Sequence, residues 1–386
     1  MKILHYMQAI DFRNGGPPRA VVDQVATMQA RGHEASLATT IVRDVPSDWL
    51  EQPGRPGRPR VVELPAVGGP LNRLSKDAMA TMHRIVADHD VVHLHGVWEA
   101  SNLQVAKACR AAGTPYVISL RGMLDDWSMA QSGLRKRIYL ALGGRTYLEA
   151  AGAVHCTADA ELAQSRKWFP KGTGRVVPNL IDLAPFEAVP DPAEAQAEWP
   201  VISEPGCTVL FLSRVQYKKG IEHLVDAVSV LRSRNRPIHV IVAGGGDEDY
   251  LDSVRDRAER RSVADAFTWA GHVGGSLKLS LFSAADVFAL PTSQENFGFV
   301  FFESLAAGTP VVTTDLVDTR DEIERSGGGV IVPQSGDAFA DAIESFIDGG
   351  RDARSMGEAG RAWTLEHLST DAVAARFEGL YESVSA

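Results

Sequence analysis

Two glutamates eight positions apart, Glu295 and Glu303, stand in the segment SQENFGFVFFESLAAGTPVV, directly after the apolar run VFALPT. The segment reads as a strand, a turn and a helix: Gly298 permits close backbone approach, and the helix ends at Gly308–Pro310. Glu295 then falls at the helix N-terminus and Glu303 deeper along the same wall. A helix N-terminus offers free N–H groups and partial positive charge, which suits a diphosphate. A carboxylate further in can accept two hydrogen bonds from ribose hydroxyls, and one at the mouth can accept them from a sugar. Taken singly, each glutamate is more readily a solvated surface charge.

A second cluster lies in LSRVQYKKGIEHLVDAV. Arg214 ends a strand, Lys219 opens the following helix, and Gly220 lets the turn close. Two cations at a strand-to-helix switch can hold a leaving diphosphate without a metal; the alternative is ordinary solvated charge. Lys218 faces water on this reading. In VIVAGGGDEDY, Gly244, Gly245 and Gly246 follow a strand, but GGGDED lacks the G-x-G-x-x-G spacing of a dinucleotide fingerprint. The turn, centred on Gly245, suits the approach of a nucleotide to backbone.

The N-terminal half carries its own candidates. Gly15 and Gly16 separate the first strand from the first helix, whose first turn takes Pro17 and Pro18. In VVHLHGVWEASN, alternation puts His93 and His95 on one face. Two histidines without a nearby acid or third histidine make a weak metal site, so no metal is expected. His95 and Trp98 are expected on the acceptor side, with His93 structural. Arg121–Gly122 follows another strand, and Asp125 and Asp126 are acceptor-loop candidates. LRKRIYLALGGR is basic, then apolar, like an amphipathic helix that can rest on anionic lipid; a solvated face is the plainer reading.

Positioning these residues takes two domains. In 386 residues, short Val- and Ile-rich runs alternate with helical patterns from end to end. Strands are predicted at 2–8, 34–40, 60–65, 91–96, 116–121, 153–157 and 175–178, then at 207–213, 238–243, 267–270, 287–291, 310–314 and 329–332. Continuous apolar strands such as VLFL and VIVA imply parallel sheets covered on both faces. The expected fold class is α/β: two doubly wound Rossmann-like domains facing across a cleft, with ligands at the carboxyl ends of the strands. A Pro-rich acidic stretch after VVPNLIDL places the boundary near 185. Domains of 1–185 and 186–369 follow, with a last helix of about 370–386 crossing back to the first. EQPGRPGRPR (51–60) reads as a mobile loop.

Net charge is −10, with 22 Lys and Arg against 17 Asp and Glu in residues 1–185, and 17 against 32 beyond. The acidic half argues against a nucleic-acid partner. Three scattered cysteines fit a reducing compartment, and no apolar run is long enough to span a membrane. A cytoplasmic protein is expected, with peripheral membrane contact through the basic N-terminal domain as an open option.

The order SRVQYKKG, AGGGDE, GHVGG, then ADVFALPTSQENFGFVFFESLAAGTPVV resembles the C-terminal domain of retaining family 4 glycosyltransferases of the GT-B fold. The similarity covers essentially the whole chain. It implies that Glu295 contacts the donor sugar, Glu303 the ribose, and Arg214 with Lys219 the diphosphate, while the Asn296–Phe297–Gly298 backbone holds the transferred sugar. Gly15–Gly16 looks like the family's glycine loop. Many members carry a histidine near Arg121; a guanidinium stays protonated, which puts a general base there in doubt. The resemblance also implies retention, metal independence, a UDP- or GDP-linked donor, and a glycan or lipid-linked acceptor in surface polysaccharide or glycolipid assembly. A two-domain oxidoreductase would need a true dinucleotide loop, which is absent. A non-catalytic sugar-nucleotide sensor, or an epimerase or hydrolase on the same fold, remains an alternative.

Overall fold

The structure, a computed structural model, describes residues 1–51, 57–69 and 71–385; half of the expected 51–60 loop, residues 52–56, lies outside them. The chain forms two compact units, Met1–Leu180 with Thr370–Ala386, and Ile181–Ser369.

The first unit holds seven strands: β1 (Lys2–Tyr6), β2 (Glu34–Thr39), β3 (Arg60–Glu63), β4 (Val91–His95), β5 (Tyr116–Ser119), β6 (Ala153–Cys156) and β7 (Gly174–Val176). All pair in parallel, in the order β3-β2-β1-β4-β5-β6-β7. β4, β5 and β6 are buried along their whole length, as strands covered on both faces must be.

The final helix, Thr370–Ser385, belongs to this unit. It sinks Val373, Ala374, Phe377, Leu380 and Tyr381 against the first helix, Gly16–Ala30, and against β4 and β5. Burying Phe377 alone contributes about 2 kcal/mol. At the rim, Arg31 reaches Glu378 at 2.8 and 2.9 Å and Asp371 at 2.9 Å.

The second unit holds β8 (Cys207–Leu212), β9 (Ile238–Ala243), β10 (Phe267–Gly271), β11 (Val287–Leu290), β12 (Val311–Thr314) and β13 (Gly329–Val332). The order is β10-β9-β8-β11-β12-β13, again parallel throughout. In each unit the strand order reverses once, between β1 and β4 and between β8 and β11. Loops leaving the carboxyl ends of those strands diverge there, which opens a crevice for a ligand. Both units are therefore Rossmann-like α/β sandwiches.

Candidate active site

In the second unit the reversal point gathers the charged residues. β8 ends at Leu212, and the chain runs through Arg214 into a tight turn, Tyr217–Lys219, before the helix Ile221–Ser233. The Lys219 side chain is 10% exposed, and its ammonium pairs with Glu295, in the loop after β11. Gly220 makes this turn possible: it sits at φ +64°, and a Cβ there would lie 2.1 Å from the Pro291 carbonyl oxygen. The two loops are thus locked backbone to backbone beneath the ion pair. Arg214 is exposed and pairs with no carboxylate among the described residues.

The helix Phe299–Ala306 starts at Gly298 with no side chain capping its first N–H groups. Glu295 precedes it, its carbonyl accepting from Asp318 N–H at 2.9 Å. Asn296 donates to Asp318 at 3.0 Å, and Phe297 is buried with its carbonyl held by Thr319 at 2.8 Å. Glu303, on the second turn, accepts from the Lys278 ammonium at 2.7 Å. Lys278 was not among the sequence candidates. It lies on a separate helix, Gly275–Ala284, and nothing in its local spacing announces the contact.

The glycine turn after β9 has a packing reason. A Cβ on Gly244 or Gly246 would fall 1.9 Å from the carbonyl oxygens of Ser213 and Val215, while Gly245 faces open space. Val215 N–H bonds the Gly245 carbonyl at 2.9 Å, so the turn is clamped to the segment carrying Arg214.

In the first unit, Gly15 and Gly16 join a short turn, Phe12–Asn14, to the helix Gly16–Ala30, whose N-terminus has no side-chain cap. The reversal point at β1 and β4 is filled differently from expectation. β1 brings in a third histidine, His5, whose ring centre lies 5.4 Å from that of His95 with the planes 8° apart, while His95 stacks on His93 at 4.3 Å. The three rings form a group of potential metal ligands. Five of their six nitrogens are engaged, and His5 Nε2 has no hydrogen-bond partner among the described residues. Arg121 donates to His95 Nδ1 at 3.2 Å, and His95 Nε2 then donates to His5 Nδ1 at 3.1 Å.

A second run of bonds starts at an amide, which only donates, and ends at a carbonyl, which only accepts. Gln24 donates to Tyr381, Tyr381 to His93, His93 to Ser119, Ser119 to His155, and His155 to the Val177 carbonyl, all at 2.7–2.8 Å. This order fixes the Nε2–H tautomer on His93 and His155. Burial holds all four rings neutral, pushing His5 and His155 down to about 3 and His93 and His95 well below the ordinary value. His95, expected on the acceptor side, is a buried residue, 2% exposed. Alternation showed that His93 and His95 share a face; it had no means of showing that β1 supplies a third ring beside them.

Arg121 is also buried, at φ +52°, a left-handed conformation costly for a residue with a Cβ. It donates to Asn179 at 3.0 Å as well as to His95. The next residue, Gly122, donates its N–H at 2.5 Å to Glu161, a buried carboxylate that also holds Thr157. Burial lowers the Arg121 pKa to about 10, with Glu161 opposing, so the guanidinium remains charged near neutrality. Glu161 is another residue that sequence reasoning passed over, since a glutamate in a helix carries no signal of depth.

Asp125, expected as an acceptor-loop candidate, is 1% exposed and caps a short helix by accepting from Ser128 N–H at 2.5 Å. Asp126 is exposed and pairs with Lys167. Trp98 is half-buried, edge-on to Tyr139, with an indole N–H that has no partner among the described residues. Beside it, Glu99 faces no cation, and burial raises its pKa.

Two family models match the chain: glycosyl transferases group 1 over residues 195–363, and a glycosyl transferase 4-like domain over 15–179. The chain belongs to the family 4 glycosyltransferases of the GT-B fold. It is 31% identical, over 76% of its length and 77% of the relative's, to a GDP-mannose-dependent alpha-(1-6)-phosphatidylinositol monomannoside mannosyltransferase of Mycobacterium tuberculosis. It is 27% identical to a phosphatidyl-myo-inositol mannosyltransferase of Mycolicibacterium smegmatis, over 96% and 91% of the two chains. Among solved structures, Anabaena HepE in complex with UDP superposes with a TM-score of 0.78 at 18% identity, covering 99% of this chain and all of that one. The protein is an enzyme, a hexosyltransferase that takes its sugar from a nucleotide-sugar donor.

Proposed function

We propose that this enzyme transfers its sugar with retention at the anomeric carbon, without a metal, to a hydroxyl of a glycan or lipid-borne acceptor. The observation that carries the reading is the Lys219–Glu295 pair beside the unpaired Arg214, at the β8/β11 reversal point. Arg214 and Lys219 would meet the diphosphate with the uncapped N-terminus of Phe299–Ala306, Glu295 would contact the donor sugar, and Glu303 the ribose. Gly245 would receive the nucleotide, and Asn296, Phe297 and Gly298 the transferred sugar. Within the first unit, Gly15 and Gly16 at the uncapped helix start are proposed donor-side residues, and Trp98 and Asp126 acceptor-side ones.

In the proposed step the bond between the anomeric carbon and the diphosphate oxygen breaks as the acceptor oxygen bonds to the same face. The acceptor proton passes to the departing phosphate oxygen. Charge builds on the diphosphate in the transition state, and two fixed cations with free helix N–H groups stabilise it where it forms. Arg121 serves this scheme as a fixed positive charge within the first unit and not as a base.

The names of the mycobacterial relatives specify a GDP-mannose donor and phosphatidylinositol-based acceptors. They support a lipid-borne acceptor and a role in glycolipid or surface polysaccharide assembly here. Three free, buried cysteines favour a cytoplasmic setting. No helix among the described residues is long and apolar enough to cross a membrane.

A panel of nucleoside diphosphates and their sugars, read by thermal shift, tests the donor side. A ligand at a hundred times its Kd adds about 2.7 kcal/mol of stability. UDP or GDP should raise the melting temperature of the wild type, and a flat response across the panel would sink the reading.

A further inference from the structure

The segment after Asp126 turns its apolar side chains outward. In the helix Gly133–Tyr139 and the turn Leu140–Gly144, Leu134 is 75% exposed, Ile138 49% and Leu142 83%. Their spacing of four residues lines them along one face. The inward face takes Tyr139, whose hydroxyl bonds the Val97 carbonyl at 2.7 Å, and Leu140. It also takes Lys136, whose ammonium donates to the Ser128 carbonyl at 2.6 Å. A lysine is thus folded in while two leucines point out, the reverse of what water alone favours.

The charges around this stripe are of one sign. Residues 127–148 contain Arg135, Lys136, Arg137 and Arg145 and no acid, in a chain of net charge −10. Arg135, Arg137 and Arg145 are exposed, and none pairs with a carboxylate among the described residues, whereas Arg31, Arg232, Arg234, Arg236 and Arg257 all do. The flanking acid Asp126 is occupied by Lys167, and Glu149 accepts from Lys171 N–H at 3.2 Å. Two depressions border the segment. One, of about 430 Å³, lies between Arg137, Arg145 and Trp168; the other, of about 570 Å³, is edged by exposed Lys107 and Arg110.

We infer that this face docks on an anionic lipid bilayer, with Leu134, Ile138 and Leu142 entering the acyl boundary and the unpaired arginines meeting headgroup phosphates. An apolar stripe with cations on both sides matches the two layers that such a surface presents. A soluble acidic partner would satisfy the arginines and leave the stripe in water. The inference extends the lipid-borne acceptor proposed above, but its test needs no turnover, so its failure leaves the donor reading untouched.

The experiment is flotation of the full chain with vesicles of phosphatidylcholine alone and of equimolar phosphatidylcholine and phosphatidylglycerol. The wild type should float with the anionic vesicles only, and less so as salt rises. Combining Arg135→Gln, Arg137→Gln and Arg145→Gln should lower the partition on the order of a hundredfold. Leu134→Ser with Leu142→Ser should lower it about tenfold with every charge intact. These side chains are exposed, so an unchanged melting temperature certifies the fold. Equal flotation of wild type and both variants would overturn the inference, as would no flotation of the wild type. A concentration-dependent dimer abolished by the leucine pair would overturn it too, assigning the stripe to a second copy.

Discussion

The Lys278 ammonium lies 2.7 Å from the Glu303 carboxylate, joining two helices of the second unit that follow β10 and β11. Glu303 is therefore held in place before any ligand arrives. One oxygen is engaged by Lys278, and the other has no hydrogen-bond partner among the described residues.

If Glu303 takes the ribose hydroxyls, Glu303→Ala should weaken binding of a nucleoside diphosphate about tenfold to a hundredfold, the range for hydrogen bonds to a charged group. Lys278→Met should weaken it less, about threefold, because it frees the carboxylate without removing it. Titration calorimetry with UDP and GDP reads both, and a 2′-deoxy nucleotide should shrink the difference. Unchanged affinity in Glu303→Ala would remove the ribose role.

Arg214 gives the cleaner test of the diphosphate role, because it is exposed and unpaired. Arg214→Ala should leave the melting temperature where it was and lower kcat about a hundredfold to a thousandfold, the usual loss for one electrostatic contact to a transition state. Lys219→Ala should lower kcat comparably and also cost stability, since it strands a half-buried Glu295. Wild-type turnover in both variants would defeat the assignment.

The sequence was most informative where the physics is local. All thirteen strands stand within two residues of their predicted ends, because parallel strands buried on both faces must be short, continuous and apolar. The helices flanking Glu303 and Lys219 were legible from their glycine turns. Contacts made across the sheet were not. Nothing near His93 or His95 indicates His5, ninety residues away and one strand over. Nothing around Glu161 shows that it reaches back to hold Gly122. Asp125 read as a ligand candidate because an N-cap and a solvent-facing acid look alike in sequence.

The histidine network predicts acid sensitivity in the first unit. The rings have folded pKa values below the ordinary 6.5, with His5 and His155 at about 3. Above 6.5 they are neutral in both states and stability is unaffected. Below it the unfolded chain binds protons that the folded chain refuses, so stability falls by about 1.4 kcal/mol per pH unit for each ring. For His5 and His155 the loss continues until about 3. Glu378, held at about 2 mainly by its bond to Arg31, gives way only at lower pH and does not set this window. Melting curves from about pH 7.5 to 5 should show the fall; a flat melting temperature would contradict neutral buried rings.

Arg121 is predicted to act through position and charge. Arg121→Gln loses the charged donor to His95 and should destabilise the first unit by about 1–3 kcal/mol. It should also soften the acid transition, because the guanidinium helps keep all four rings neutral. A variant as stable as wild type with an unchanged acid limb would show that the network does not depend on it.

Arg214 and Lys219 are proposed to drive transfer of a nucleotide-linked sugar bound by the second unit. The most direct measurement supplies labelled UDP- and GDP-sugars to wild type and Arg214→Ala, with a lipid extract as acceptor pool, and follows label into product. The wild type should transfer from one donor, and the variant should lose about a hundredfold or more at equal melting temperature. Equal transfer by the two proteins, or release of free sugar with no acceptor product, would contradict it.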